Sequence, residues 1–213
     1  MTAPHTKTSR DEWLDAAIDA LADQPIDQLK VLVLAERLGV ARSSFYWYFR
    51  DRKEFDDALV ERWRVNTASV VDRTNRPADT LTAACLGVFE CWADRRLFDV
   101  RLDQAMREWA SRDAATADKV RIEDDARVAA LTAMFERHGF DGDRAIVRAR
   151  LLYHGQIGYH LLSRDEPLAR RVELLPEYLL ALTGEMVPPA ELQQFEHFLR
   201  SLREVQRVGR SAR

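Results

Sequence analysis

The chain has 213 residues, of which 46% are apolar and 31% are charged, so it can bury a core and is not intrinsically disordered. Its 32 basic and 35 acidic residues leave a formal charge of −3. This balance excludes a histone-like polycation, so any nucleic-acid binding must come from a local patch. Two cysteines exclude a disulfide scaffold, and eight glycines and seven prolines are too few for a turn-rich all-β protein.

The first predicted helix begins at a capping box. Ser9 followed three residues later by Glu12 is the pattern in which each side chain bonds the other residue's backbone amide. Apolar residues then recur at helical spacing, and we expect this helix to run from Ser9 to Asp23. Acidic residues at every fourth position form one stripe along it: Asp11, Asp15, Asp19 and Asp23.

Two short helices and a turn follow. Apolar periodicity predicts a second helix at residues 29–37, and Gly39 then breaks it in a tight turn. A short third helix is predicted at residues 42–48, and a long fourth helix at residues 51–72 with an aspartate cap. Two short helices joined by a glycine-containing turn are the sequence pattern of a helix-turn-helix.

The remainder of the chain continues as helices. Beyond Pro77 the apolar residues keep the 3.6-residue period to the end, and no run alternates with period two, which predicts an all-α fold. We see no signal peptide and no run of about 18 apolar residues, so we expect a cytoplasmic protein without a membrane partner. His154 and His160 lie six residues apart, off a common helix face, and we predict no metal and no cofactor.

The segment after the turn concentrates positive charge and aromatic area. Between residues 37 and 53, five residues are basic and one is acidic, a local charge of +4. The first turn of a helix entering the major groove reads bases, so Arg42 is the predicted guanine contact, with Ser43 and Ser44 short enough for close approach. The alternative is that the aromatic residues are only the core of a small domain.

Residues 34–54, LAERLGVARSSFYWYFRDRKE, resemble the LAxxLGVSxxxLYxHFxxKxxL signature of the TetR family of bacterial transcriptional regulators. The resemblance implies a DNA-binding domain at residues 1–52 and a helical effector-binding and dimerisation domain at residues 53–213, joined by the long fourth helix. Together with the charge pattern, it points to these DNA-contacting residues: Lys30, Arg42, Ser43, Ser44, Tyr46, Trp47, Tyr48, Arg52 and Lys53.

Some positions depart from the family pattern. Tyr48 replaces the family's histidine, Ala41 stands where a serine usually caps the helix, and Lys30 stands where a threonine often opens the second helix. Leu32 and Val33 make that helix unusually apolar. We expect this run to pack against an additional element, and the alternative is that it leaves an exposed apolar surface.

Specific binding needs two reading heads on one duplex, so we expect a symmetric homodimer. The predicted interface is one face of the long helix after Asp141 with the helix that follows, and ordinary core is the alternative: Arg148, Leu151, Gly155, Gly158, Leu162, Leu175, Leu179 and Leu182. Aromatic residues with polar tips are candidates for a small-molecule pocket, although a plain core explains them equally well: Phe89, Trp92, Met106, Trp109, Met134, Tyr153, Gln156 and Tyr159.

The sequence therefore predicts a regulator that binds a palindromic operator in double-stranded DNA and is released by an unknown small-molecule effector, most simply as a repressor. An enzyme is the first alternative, but the chain has no Gly-rich phosphate loop, nucleophile elbow or HExxH pattern. A second alternative is a helical interaction protein that keeps the fold and has lost specific DNA binding.

Overall fold

A computed structural model of the protein describes residues 8–21, 25–162 and 166–211, and within these ranges it contains helices and no strands. The predicted all-α class is therefore confirmed. The α-helices are α1 (Arg10–Ala20), α2 (Val31–Leu38), α3 (Arg52–Thr67), α4 (Ser69–Thr74), α5 (Leu81–Ala93), α6 (Val100–Ala110), α7 (Ala114–Arg137), α8 (Gly142–Leu161), α9 (Leu168–Thr183) and α10 (Pro189–Ser211).

Helix α1 begins as the sequence predicts. The Ser9 hydroxyl accepts a hydrogen bond from the Glu12 backbone amide at 3.1 Å, and the Glu12 carboxylate accepts one from the Ser9 amide at 2.6 Å. The helix ends at Ala20 with Leu21 as its cap, earlier than the predicted Asp23, which itself lies outside the described residues. Helix α2 begins two residues later than predicted because Leu29 still belongs to the preceding turn, where its amide donates to the Ile26 carbonyl.

The chain divides into two compact units. Unit 1 contains residues 1–66 and 99–121, and unit 2 contains residues 67–98 and 122–213. The core of unit 1 is aromatic and includes Trp13, Phe45, Phe55 and Trp63, all fully buried. The predicted domain boundary between residues 52 and 53 lies inside unit 1 and does not separate the two units. A division into functional domains at this boundary stays a prediction.

The predicted long fourth helix is wrong in one respect, because it is interrupted at Ala68. Helix α3 ends at Thr67 and α4 begins at Ser69. The Thr67 hydroxyl accepts a hydrogen bond from the buried Arg127 guanidinium, and the Ser69 hydroxyl donates to the Leu97 carbonyl at 2.5 Å. Both hydroxyls are thus bonded to residues outside α3 and α4, one on each side of the break.

Both cysteines, Cys85 and Cys91, lie on α5, and both are free and buried. Burial raises the pKa of the Cys85 thiol to about 12. The pKa of the Cys91 thiol is raised to about 11, again mainly by burial.

One buried carboxylate organises the polar interior of unit 1. Asp103 is 2% exposed, accepts a hydrogen bond from the Trp63 indole at 2.9 Å and pairs with Arg107 at 2.8 Å. We expect Asp103→Ala to lower the free energy of unfolding by about 3 kcal/mol, because it removes a buried carboxylate that bonds both the Trp63 indole and the Arg107 guanidinium. Urea titration followed by circular dichroism measures this loss.

The control for this experiment is Asp118→Ala, which removes an exposed carboxylate paired with Arg121 on α7. This change should alter the free energy of unfolding by less than about 0.5 kcal/mol, because exposed ion pairs contribute little. Equal effects of the two substitutions would contradict the assigned role of Asp103.

Candidate nucleic-acid interface

The turn between α2 and the segment that follows depends on a glycine. Gly39 has φ 66°, a left-handed conformation that side chains disfavour. Its amide donates to the Glu36 carbonyl at 3.1 Å, and the Val40 amide donates to the Ala35 carbonyl at 3.0 Å. These bonds close the last turn of α2, and the chain then enters the predicted DNA-reading segment.

The residues that follow the turn, here called the reading segment (Arg42–Trp47), form a 3₁₀ helix and not the predicted short α-helix. The Ser44 amide donates to the Ala41 carbonyl at 2.9 Å, and the Tyr48 amide donates to the Phe45 carbonyl at 3.0 Å. Ala41 provides no side-chain cap. In so short an element, bonds between residues three apart satisfy end groups that an α-helix would leave open.

The reading segment rests on a buried aromatic base. Phe45 is fully buried, with its ring centroid 5.4 Å from those of Trp13 and Phe55 and 5.1 Å from that of Phe49. The Tyr46 ring meets the Phe45 ring edge-on at 5.3 Å. Phe45 and Phe49, four residues apart, both pack inward and are at most 1% exposed.

The other side of the reading segment is exposed. Trp47 is 84% exposed and Tyr46 is 53% exposed, so the alternative that the aromatic residues only form a core is wrong for these two. Arg42 and Ser43 are exposed and Ser44 is half-buried. Within the described ranges the Arg42 guanidinium has no acidic partner, which leaves its donors available to an external acceptor.

A lysine follows the reading segment closely in the sequence. Lys53, at the start of α3, lies 2.6 Å from Asp57, which also pairs with Lys119 at 3.1 Å. Hydrogen bonds from the two ammonium groups lower the pKa of the Asp57 carboxyl. The Lys53 side chain is 82% exposed, and an exposed pair of this kind is weak enough to exchange for a phosphate.

The start of α2 carries one further lysine and an apolar side chain on the surface. Lys30 is exposed at the N-cap position and makes no capping hydrogen bond through its side chain. Leu32 is 52% exposed, so the expectation that an additional element covers it is wrong for the part of the chain that the structure describes.

Two residues of the predicted DNA-binding set point into the protein. The Tyr48 hydroxyl donates to the Thr8 carbonyl. The Arg52 guanidinium donates to the Ile26 carbonyl at 3.0 Å, to the Leu29 carbonyl, and to Asp56 at 2.7 Å. Because these groups already have internal partners, both side chains connect the chain around the reading segment to backbone carbonyls of the preceding segments.

The acidic stripe of α1 is held by cations from other helices. Arg62 of α3 contacts Asp11 at 2.7 Å and Asp15 at 3.1 Å, and Arg101 contacts Asp19 at 3.3 Å. Asp23, the fourth member of the stripe, lies outside the described residues. These pairs reduce the repulsion that the stripe would exert on an approaching phosphate backbone.

Unit 2 contains a cavity of about 340 Å³. Four of the eight predicted pocket residues line it: Phe89, Trp92, Gln156 and Tyr159. The other four lie elsewhere, with Met134 and Tyr153 buried in unit 2 outside the lining, and Met106 and Trp109 packed in unit 1.

The remaining wall of the cavity comes from α9 and α10. None of the pocket residues predicted from the sequence lies on these two helices. Val172, Arg171 and Tyr178 of α9 and Phe195 of α10 line the cavity. The apolar period of α9 predicts only that one face is buried, and it does not distinguish packing against a core from packing around a cavity.

The predicted dimer face divides into two groups. Leu175, Leu179 and Leu182 are buried within the protomer, so they are not available to a partner, because their apolar area is already covered. Leu151 and Leu162 on α8 are each 61% exposed. The predicted interface thus reduces to the exposed side of α8 and stays a prediction.

The other members of that face lie along the same helix. Gly155 is exposed and, like Leu151, also lines the cavity, whereas Gly158 is half-buried. The Arg148 guanidinium donates to the Leu182 carbonyl at 2.9 Å and stacks 4.0 Å from the centre of the Phe140 ring.

Across the described ranges, no helix is both long and apolar enough to cross a lipid bilayer. The same residues contain no group of three or more histidine, cysteine or acidic side chains placed to hold a metal ion.

Comparison with known proteins gives matches concentrated at the reading segment and its supporting helices. Residues 14–59 match the family model of bacterial regulatory proteins, tetR family. The chain is 41% identical over 56 residues to the tetracycline repressor protein class A from transposon 1721 of Escherichia coli, and 36% identical over 55 residues to the class C protein of Escherichia coli. Each alignment covers 26% of this chain and 26% or 25% of the relative, so the match spans about a quarter of these proteins.

Solved structures resemble the chain over most of its length. GusR of Salmonella enterica has a TM-score of 0.65 at 18% identity, covering 86% of this chain and 97% of that one. FadR of Bacillus subtilis in complex with stearoyl-CoA has a TM-score of 0.59 at 16% identity, covering 83% and 100%. A tetR-family transcriptional regulator of Streptomyces coelicolor has a TM-score of 0.56 at 18% identity, covering 91% and 90%. At these identities the likeness shows the fold alone.

The neighbouring cations Arg52 and Lys53 give contrasting expectations for stability. We expect Arg52→Ala to lower the free energy of unfolding by about 2 kcal/mol, because two backbone carbonyls and Asp56 lose their donor. Lys53→Ala removes an exposed pair and should cost less than about 0.5 kcal/mol. Chemical denaturation of the two variants measures the difference, and similar losses would contradict the internal role of Arg52.

Proposed function

Because residues 14–59 match the family model of bacterial regulatory proteins, tetR family, we propose that this chain is a sequence-specific DNA-binding transcriptional regulator. The observation that carries the proposal is the two-sided reading segment, with Phe45 fully buried and Trp47 84% exposed. A rigid base beneath an exposed aromatic and basic surface is the arrangement that groove recognition requires.

Each exposed side chain has a role in this proposal. Arg42 pairs with a guanine in the major groove, and Ser43 allows the backbone to approach the base edges. Tyr46, Lys30 and Lys53 contact phosphates, which fix the register of the protein on the duplex.

The large exposed face of Trp47 suits contact with the apolar parts of the sugar–phosphate backbone or with a thymine methyl group. Tyr48 and Arg52 do not touch DNA in this scheme. They hold the reading segment in place through the carbonyl groups to which they donate.

We further propose that the protein acts as a homodimer on a palindromic operator. One small reading head contacts few phosphates, and two heads on one face of the duplex need half-sites about 34–36 Å apart or a multiple of that distance. The exposed side of α8, with Leu151 and Leu162, is the proposed interface, and the surface glycine Gly155 permits close approach of the partner helix.

Release by a small molecule needs a connection between the cavity and the helix that follows the reading segment. Tyr159 and Gln156 of α8 line the cavity, and Tyr153 on the same helix donates to Asp124 at 2.6 Å. Arg127 contacts the Tyr153 hydroxyl at 3.3 Å and also binds Thr67, the last residue of α3. We propose that a ligand shifting α8 acts on α3 through Arg127, provided that it binds the two states with different affinity.

The matched curated relatives are named as repressors, which supports a repressor that an effector removes from its operator. A regulator that reads bacterial DNA acts in the cytoplasm, and we propose that location. Because the relatives are regulators, we propose no catalytic role.

Substitution of Arg42 tests the reading role. The duplex is obtained by selecting bound sequences from a random pool with the full chain. We expect Arg42→Ala to weaken binding by about 1–3 kcal/mol and to relax the preference at one base position, since one bidentate contact is lost. Fluorescence anisotropy on the selected duplex and on single-base variants measures both effects.

Two further variants complete this experiment. Lys53→Ala should weaken binding to all sequences and reduce the salt slope by about 1, because one phosphate contact disappears. Arg170→Ala on α9 removes the same charge in unit 2, outside the unit that contains the reading segment, and should change neither quantity. No enrichment of any sequence by the unmodified chain would instead support an interaction protein that has lost DNA binding.

The α8 interface predicts a change of oligomeric state. Leu162→Glu should shift the protein from dimer to monomer, because two carboxylates would face each other across a symmetric apolar contact. Ile122→Glu is the matched control, as Ile122 is 57% exposed on α7. Sedimentation equilibrium measures both, and a Leu162→Glu protein that stays dimeric would contradict the proposed face.

A further inference from the structure

The walls of the cavity in unit 2 are almost entirely apolar. Phe89 of α5, Leu152 of α8, Val172 and Leu175 of α9 and Phe195 of α10 form much of the lining. A volume of about 340 Å³ falls within the range of roughly 300–1,000 Å³ that is typical of small-molecule sites. The main body of any ligand held there must therefore be apolar, because a polar body would lose its hydration without compensation.

The lining contains one guanidinium with unused donors. Arg171 is half-buried, and its charge lies 4.4 Å from the centre of the Tyr159 ring. Within the described ranges it makes no side-chain hydrogen bond and no ion pair. Glu166, the carboxylate of the lining, already accepts a hydrogen bond from the Tyr159 hydroxyl at 2.9 Å. A partly desolvated arginine without a carboxylate partner is unusual, since its five donors are best matched by an anion.

A buried donor in the same lining adds an independent observation. Trp92 is 6% exposed and lines the cavity, and its indole N–H has no acceptor in the part of the chain that the structure describes. A buried donor without an acceptor carries a free-energy cost that a ligand oxygen would remove. Gln156, whose amide nitrogen lies 2.6 Å from the ring of His160, is the other buried polar side chain of the lining.

We propose that this cavity binds a monocarboxylate with an apolar chain or ring system, whose carboxylate pairs with Arg171 and whose body lies along α8, α9 and α10. The Trp92 N–H donates to an oxygen of the same ligand. We specify a ligand with a single negative charge for two reasons. The described lining contains one unpaired cation, Arg171, and Glu166 in the same lining would repel a second negative charge. This inference rests on the proposed ligand-responsive function and names its effector class.

The test uses three probes that share one chain and differ in head group: decanoate, decylamine and decanol. Isothermal titration calorimetry with the full-length protein, in the absence of DNA, should show decanoate binding at least about tenfold more tightly than either other probe. Arg171→Gln should weaken decanoate binding by about tenfold or more and leave decanol binding unchanged. Arg171→Lys, which keeps the charge, should recover part of the loss.

Arg170→Gln is the matched control. Arg170 is the adjacent residue on α9, pairs with Glu173 at 3.0 Å and does not line the cavity. It should leave the affinity for decanoate unchanged, and thermal unfolding of all variants checks that each is folded.

Two results would overturn the proposal. The first is that decylamine or decanol binds as tightly as decanoate, or that none of the three probes binds. The second is a decanoate affinity that does not change in Arg171→Gln. Binding of the unmodified chain to its selected duplex is measured on the same preparation, so failure of the carboxylate site and failure of the DNA-binding function give different results.

Discussion

The burial of Phe45 is the constraint on which the proposed DNA surface depends. A six-residue 3₁₀ helix has few backbone hydrogen bonds and no side-chain cap at Ala41, so it cannot hold its own conformation. The contacts of Phe45 with Trp13, Phe49 and Phe55 supply the missing stability from the core of unit 1. The chain can expose the large side chain of Trp47 because the nearby Phe45 anchors the reading segment in the core of unit 1.

The polar interactions near this base serve the same purpose. Arg52 and Tyr48 look like phosphate contacts in the sequence, yet each donates to backbone carbonyls of the preceding segments. A donor that already bonds an internal carbonyl is not available to DNA. The proposed phosphate contacts are therefore Tyr46, Lys30 and Lys53. In unit 2, Arg127 is comparable, since it is 1% exposed and joins Thr67 to Tyr153 and Asp124.

The elements that could be predicted from the sequence are those set by local chemistry. The Ser9 capping box, the Gly39 turn and the inward direction of Phe45 follow from spacing and residue type alone. The interruption of the long helix at Ala68 could not be predicted, because neither glycine nor proline marks it in the sequence and the bonds of Thr67 and Ser69 are to residues far along the chain. The 3₁₀ form of the reading segment also differs from the expectation, since periodicity cannot separate two helix types over six residues.

The candidate sites also show which features local sequence can predict and which depend on distant contacts. Periodicity predicts which face of a helix is apolar but not what covers it. For this reason Leu175 and Leu182 were expected at a dimer face and instead line the cavity, whereas Met106 and Trp109 were expected at a pocket and belong to the core of unit 1. Arg171 had no signal in the sequence at all, because an arginine without a partner is recognised only when its surroundings are known.

The elevated pKa values of the two thiols have a practical consequence. Cys85 and Cys91 are the only cysteines of the chain, and both stay protonated at neutral pH, so neither is a nucleophile toward alkylating reagents or mixed-disulfide partners. A cysteine introduced at an exposed position would then be the single reactive thiol of the protomer. A spin label or fluorophore attached there would report distances between the two copies of a dimer without removing any native side chain from the core.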